Sequence, residues 1–142
     1  MMRYFLLVIA LFVSMSSYAN KDDDFVEGEV IFQMSKSSQS PAIAYATMSP
    51  WTHCGIIVKK NNNFYVLEAS NMVKLTPVWE WIRRGRGDIA IKKRVFKDSV
   101  KINYKKYLGK RYDLEFSLTN DKYYCSELVY LIYKEQFGIE LA

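Results

Sequence analysis

The sequence predicts a single α+β domain in which helices pack against a central antiparallel sheet. Its 142 residues, 50% hydrophobic and 25% charged, suffice for one core and leave little room for a second domain. Residues 51–58 (WTHCGIIV) and 64–69 (FYVLEA) are rich in β-branched and aromatic side chains and flank an Asn-rich segment, which is typical of a hairpin. Other strand and helix patterns precede and follow this hairpin in a mixed order, which indicates an antiparallel sheet.

Residues 1–19 are expected to be a secretory signal peptide and not part of this domain. They begin with one cation, Arg3, continue with an apolar run at 4–13 and end in small residues up to Ala19. The apolar run has about ten residues, whereas a membrane-spanning helix needs about 20. A buried N-terminal helix is the alternative. We therefore expect a folded domain at 20–142 that is exported, to the periplasm, without a membrane span once the signal is removed.

The first elements of the domain are predicted to be a strand and a short helix. Residues 26–33 (VEGEVIFQ) alternate or run apolar, which suits a strand. Ser40 followed by Pro41 is typical of a helix N-terminus, and Pro50 ends the pattern. A helix is therefore predicted at 41–48, and the hairpin follows it. The Asn residues at the hairpin turn tolerate left-handed backbone angles.

A helix, a strand, a helix, a strand and a final helix are predicted after the hairpin. Thr76 and Pro77 repeat the signal of a cap followed by proline, and Gly85 ends that helix. The five segments are 77–84, 88–96, 98–108, 110–116 and 125–137. The final helix has a broad apolar stripe, and Gly138 is a natural C-terminal stop.

Charge and cysteine content narrow the possible functions. Basic clusters are spread along the chain without a nucleic-acid-binding motif, which predicts a solvated surface or, alternatively, attraction to anionic envelope polymers or lipids.

The two cysteines, Cys54 and Cys125, would by default form a disulfide in an exported protein. Cys54 is adjacent to His53, so the two side chains point to opposite faces of a strand. We therefore interpret Cys54 as a buried core thiol and not as a disulfide partner or metal ligand.

His53, the single histidine, lies in the predicted hairpin. A register that pairs Ile57 with Phe64 places His53 directly opposite Glu68, with Cβ atoms about 5 Å apart. A carboxylate there would accept the imidazole N–H, fix the tautomer and leave the other ring nitrogen free to act as a base. A structural histidine on a half-buried strand is the alternative.

Cys125 stands at the start of the final predicted helix. Unsatisfied backbone N–H groups and the helix dipole stabilise a thiolate at this position, and a neighbouring imidazolium adds to the effect. The backbone N–H of Cys125 is also a candidate donor to a developing oxyanion. A small apolar residue packed under the helix is the alternative.

Seven segments together give the chain a recognisable family resemblance. They are EGEVIFQ (27–33), SSQSPAIAYAT (37–47), WTHCGIIV (51–58), YVLEA (65–69), TPVWEWIRRG (76–85), YLGKRYD (107–113) and YYCSELVYLIY (123–133). With them the chain resembles the circularly permuted papain-like cysteine hydrolases of the YiiX/YaeF type, in the NlpC-type superfamily. The resemblance implies a permuted papain-like fold with Cys125 as nucleophile, His53 as base and Glu68 as orienting carboxylate. Relatives usually continue further, so a missing C-terminal segment after Ala142 is also expected.

The predicted function is that of an exported thiol hydrolase that cleaves an amide in a cell-envelope peptide or an acylated amine. The mechanism needs no metal or organic cofactor. A lipid-directed acyltransferase or hydrolase with the same three residues and a non-catalytic envelope-binding domain are the alternatives. Oligomeric state is not readable from the sequence. Substrate-binding candidates are Gln33, Ser38, Trp51 and Tyr124.

Overall fold

The computed structural model describes residues 17–18, 25–88, 90–111 and 125–141. Within these ranges six strands form one antiparallel sheet in the order β1-β6-β2-β3-β4-β5. The strands are β1 (Ser17–Tyr18), β2 (Val30–Gln33), β3 (His53–Lys60), β4 (Asn63–Ala69), β5 (Val73–Pro77) and β6 (Ala90–Lys93). The α-helices are α1 (Ser40–Thr47), α2 (Val78–Arg84) and α3 (Cys125–Phe137). The α+β fold and its antiparallel sheet are confirmed.

Helices cover both faces of this sheet. One face, called the Cys54 face, carries Cys54 and Ile56 and packs against the apolar stripe of α3. The opposite face, called the His53 face, carries Ile57 and Val66 and packs against α2 through Trp81. Because both faces are covered, β2 is buried at every position, which explains its continuous apolar run.

The predicted hairpin is confirmed, but its predicted register is wrong by two residues. The turn is only Asn61 and Asn62, both with positive φ (51° and 64°), and Lys60 pairs with Asn63. Ile57 therefore pairs with Val66 and not with Phe64. Two consecutive residues with positive φ form the tight turn that matches the twist of a hairpin, so no longer loop is needed. An even shift keeps every side chain on its predicted face, so His53 and Glu68 still share one.

The short helix α1 begins one residue before the predicted helix. Ser40 belongs to α1, and its hydroxyl bonds to that of Thr52 at 2.6 Å instead of capping the helix. The cap position is Gln39, without a side-chain capping bond, and Pro41 lies in the first turn as expected.

The segment after β6 differs most from prediction. The predicted helix at 98–108 is wrong: only a 3-10 turn, Lys105–Tyr107, forms within it. The backbone N–H groups of Val100 and Ile102 donate instead to the carbonyl and carboxylate oxygens of Glu27, which holds this part of the chain outside a helix. Strand β5 was not predicted, because Thr76-Pro77 resembles a helix start although both residues end the strand.

Most of the predicted signal peptide lies outside the described residues. Ser17 and Tyr18 pair with Lys92 and Ile91 of β6 at one edge of the sheet. Much of the strand predicted at 110–116 also lies outside them, although Arg111 forms an isolated bridge with Met72. Among the described helices, none has the length and apolar character needed to cross a membrane.

Candidate active site

Glu68 is the most completely hydrogen-bonded side chain of the candidate site. Its carboxylate is fully buried on the His53 face. Oε1 accepts from His53 Nε2 at 2.8 Å, from Arg84 Nη2 at 2.6 Å and from Trp81 Nε1 at 3.2 Å, and Oε2 accepts from the Thr76 hydroxyl. Burial alone would raise the pKa of Glu68, but these donors and the positive charges of His53 and Arg84 lower it from 4.5 to about 2. Glu68 is therefore ionised at neutral pH.

The ionised carboxylate determines the orientation and tautomer of His53. Glu68 can only accept, so His53 Nε2 must carry a proton and donate it to Oε1. The ring also stacks on Trp81, with centroids 5.6 Å apart and an interplanar angle of 30°. Burial opposes protonation of His53, but hydrogen bonds to Cys125 and Glu68 and the negative charges of both outweigh it. They raise the pKa of His53 from 6.5 to about 9.

Cys125 is the first residue of α3, and its side chain interacts with His53. Only 2% of the residue is exposed. A hydrogen bond from the Cys54 thiol lowers the pKa of Cys125, burial opposes this, and the hydrogen bond and positive charge of His53 lower it further. The result is a pKa well below the usual range for a thiol. Both shifts in pKa favour a thiolate at Cys125 and an imidazolium at His53.

Both cysteines are free and Cys54 is a buried core thiol, as expected, but the two cysteines are close enough to interact. Cys54 does point to the opposite face from His53, but it belongs to the same buried cluster as Cys125. His53 and Cys54 are the first two residues of β3, and Cys125, the first residue of its helix, interacts with both. The bond to Cys125, burial and the adjacent negative charge raise the pKa of Cys54 well above its usual range. Cys54 is therefore a protonated donor to its neighbour.

A cavity of about 830 Å³ opens beside His53. Its lining includes two of the predicted substrate-binding residues, Gln33 and Ser38. The Gln33 amide is buried and donates to the Trp81 carbonyl at 2.7 Å, so its nitrogen already has a partner. Trp51 packs, partly buried, against the cluster under α3 and is not part of this lining. Tyr124 lies outside the described residues, and the substrate-binding roles of Gln33 and Ser38 stay predictions.

A family model described as "permuted papain-like amidase enzyme, YaeF/YiiX, C92 family" matches residues 24–142. The chain belongs to this amidase family. The uncharacterized protein YiiX of Escherichia coli strain K12 is 37% identical over 147 residues, covering 99% of this chain and 71% of that protein. A crystal structure of the metalloprotein YiiX from Escherichia coli O157:H7 superposes with a TM-score of 0.75 at 39% identity. The match covers 81% of this chain and 68% of that one.

Membership confirms three of the sequence predictions. The fold is of the permuted papain-like class, the protein is an amidase of the cysteine peptidase type, and its substrate contains an amide. Although the solved relative is named as a metalloprotein, no three His, Cys, Asp or Glu side chains within the described ranges of this chain converge to hold a metal ion.

Sequence reasoning missed three residues of the candidate site, which are Thr76, Trp81 and Arg84. Thr76 was interpreted as a helix cap because β5 was not recognised, but it lies on β5, which pairs with β4. Trp81 and Arg84 are three residues apart on α2, the spacing that places two side chains on the same helix face. That spacing could have predicted that Trp81 and Arg84 act together. It points to the site only once α2 is known to cover the His53 face.

Proposed function

We propose that this amidase cleaves its substrate with Cys125 as nucleophile, His53 as proton donor and acceptor, and Glu68 as the group that orients His53. The observation that supports the proposal most strongly is that the His53 imidazole interacts with two partners, Glu68 and Cys125. Nε2 is committed to Glu68, while the same ring interacts with Cys125. The nitrogen that Glu68 leaves free, Nδ1, is thus the one available to exchange a proton with the thiol.

The reaction follows from these assignments. The Cys125 thiolate attacks the amide carbonyl carbon, and the carbonyl oxygen becomes an oxyanion. Imidazolium Nδ1–H gives its proton to the leaving amine as the C–N bond breaks, which leaves a thioester on Cys125. Neutral His53 then takes a proton from water and the hydroxide adds to the thioester. Collapse releases a carboxylic acid, which loses its proton to solvent, and restores the thiolate–imidazolium pair.

Two features support stabilisation of the oxyanion by α3. The first N–H groups of a helix lack acceptors within the helix, and its dipole is positive at that end. Cys125 is the first residue of α3, so its own backbone N–H is a candidate donor.

The proposed substrate is an amide of a cell-envelope peptide or an acylated amine, reached by export of the protein. The support for export is the signal-like sequence of residues 1–19. N-terminal sequencing of protein recovered from the periplasm of a bacterial host tests it. We expect a mature chain beginning near Asn20. Recovery in the cytoplasm with residues 1–19 retained would contradict export.

Amine release from a panel of N-acyl amino acid amides and dipeptide amides tests the catalytic assignment. We expect Cys125→Ala and His53→Ala each to lower kcat/KM by at least about a thousandfold, as for removal of a nucleophile or its base. Glu80→Gln is the matched control, because Glu80 is exposed on α2. Hydrolysis that survives in Cys125→Ala would refute the nucleophile assignment.

A further inference from the structure

The cavity beside His53 carries an excess of positive charge. Lys36, Arg84 and Arg111 contribute to its lining, and none of its lining residues in the described ranges is Asp or Glu. Arg84 is paired with Glu68 at 2.6 Å. Within the described ranges, Lys36 and Arg111 have no carboxylate at salt-bridge distance. The thiolate–imidazolium pair is neutral as a whole, so no negative charge in the part of the chain that the structure describes compensates these two side chains.

The backbone holds both cations at fixed places in the fold. Lys36 lies in the loop between β2 and α1, where Ser35 N–H donates to the Thr52 hydroxyl at 2.9 Å and Ser37 N–H donates to the Ser35 hydroxyl at 3.1 Å. Arg111 is bridged to Met72, the residue just before β5. These bonds fix the segments from which the two side chains extend.

The segment that carries Arg111 is bonded to β5 on both sides of its turn. Gly109 N–H donates to the Val73 carbonyl at 2.9 Å, and Val73 N–H donates to the Lys110 carbonyl at 2.8 Å. The cavity wall around Arg111 is therefore part of the sheet edge and not a free loop.

Neutral hydrogen-bonding groups surround the two cations. The cavity lining also includes Ser37, Ser38 and Asn71, whose hydroxyl and amide groups can donate to an anion. Uncompensated cations with several neutral donors are the chemistry that recognises a carboxylate or a phosphate. The volume of about 830 Å³ is large enough for a substrate of several residues or a headgroup, and not only a single ion.

We propose that Lys36 and Arg111 form a subsite for an anionic group, a carboxylate or a phosphate, carried by the substrate near its scissile amide. The inference rests on the proposed function, because it assumes that the reacting amide lies next to His53. It narrows the substrate to an acidic amide, such as one with a free amino acid carboxylate or a phosphorylated headgroup.

The first test compares two alkylating reagents of similar size at Cys125, anionic iodoacetate and neutral iodoacetamide, near pH 6 in low salt. For two unit charges in a medium like water, a separation of about 7 Å corresponds to about a threefold change in the rate of an anion. We expect the ratio of iodoacetate to iodoacetamide rates to fall about threefold in Lys36→Gln and in Arg111→Gln, and about tenfold in the double variant.

Arg83→Gln is the matched control, since Arg83 is an exposed cation of α2 outside this cavity. A ratio in the double variant within about twofold of this control would overturn the subsite. Failure of iodoacetamide to label Cys125 in any variant would instead contradict the proposed function, because this neutral reagent reports a reactive, accessible thiolate without responding to the charge of the subsite.

A second test measures binding directly and does not depend on Cys125 reactivity. Isothermal titration of the unaltered protein would use N-acetylalanine, its neutral amide and glycerol 3-phosphate as probes. We expect one of the anions to bind at least fivefold more tightly than the neutral amide, and the preferred anion identifies a carboxylate or a phosphate source. The double variant should lose this preference. Equal binding of all three probes, or a preference that the double variant retains, would refute the proposal.

Discussion

Replacing Glu68 by Gln removes the negative charge beside His53 while preserving the size of the side chain. At the 2.8 Å between Nε2 and Oε1, two unit charges attract by about 1.5 kcal/mol even in the dielectric of water, equivalent to about one pH unit. The rise in the pKa of His53 from 6.5 to about 9 corresponds to about 3.4 kcal/mol, and Cys125 contributes part of it. Arg84 would also lose its partner and would disfavour imidazolium. We therefore expect a pKa of about 7 to 8 in the variant.

His53 is the only histidine of the chain, so an NMR titration of its ring in untagged protein reports this pKa without assignment by mutation. In the unaltered protein the His53 ring should titrate near pH 9. It should titrate near the same pH in Glu80→Gln, which changes an exposed carboxylate of α2. A Glu68→Gln protein that still titrates near pH 9 would refute the role given to this carboxylate. An equal fall in the pKa of His53 in Glu80→Gln would mean that loss of any nearby negative charge lowers it, and not the loss of Glu68 in particular.

Three further outcomes follow from the described contacts. Gly55→Ala should cost about 2 kcal/mol or more in urea unfolding, because the new Cβ would lie 2.4 Å from Val66 Cγ1; a loss below about 0.5 kcal/mol would contradict this packing. Cys54→Ala removes a donor to the Cys125 thiolate, so the pH midpoint of Cys125 alkylation should rise; an unchanged midpoint would show that the donor has no effect. The lowered pKa of Glu68 contributes about 3 kcal/mol of stability above pH 4.5, which should be lost as pH falls toward 2 and should be absent in Glu68→Gln.

The hairpin and the final helix could be predicted because their signals are local. Apolar alternation and an Asn-rich turn define a hairpin, and an apolar stripe ended by Gly138 defines α3. The register was wrong because the turn was centred one residue too early, between Lys60 and Asn61 instead of between Asn61 and Asn62. The prediction that His53 and Glu68 lie on the same face was still correct, because a register shift of two residues leaves each side chain on the same face of the sheet.

The rest of the site depends on contacts between distant parts of the chain. Thr76, Trp81 and Arg84 become donors to Glu68 only after β5 pairs with β4 and α2 covers the His53 face. Alternation along a strand likewise predicts that Cys54 and His53 diverge, but it does not predict that Cys125, the first residue of α3, interacts with both. Tertiary bonds to Glu27 also decide against a helix at 98–108.

The pH dependence of Cys125 alkylation by iodoacetamide, followed by peptide mass spectrometry, tests most directly whether Cys125 and His53 form a thiolate–imidazolium pair at neutral pH. Cys54 supplies an internal control, since it is buried and its pKa is raised. We expect Cys125 to react at its full rate already at about pH 7 while Cys54 stays unmodified. A Cys125 rate that rises only around pH 8.5 to 9, as for an ordinary thiol, or preferential labelling of Cys54, would contradict the proposed mechanism.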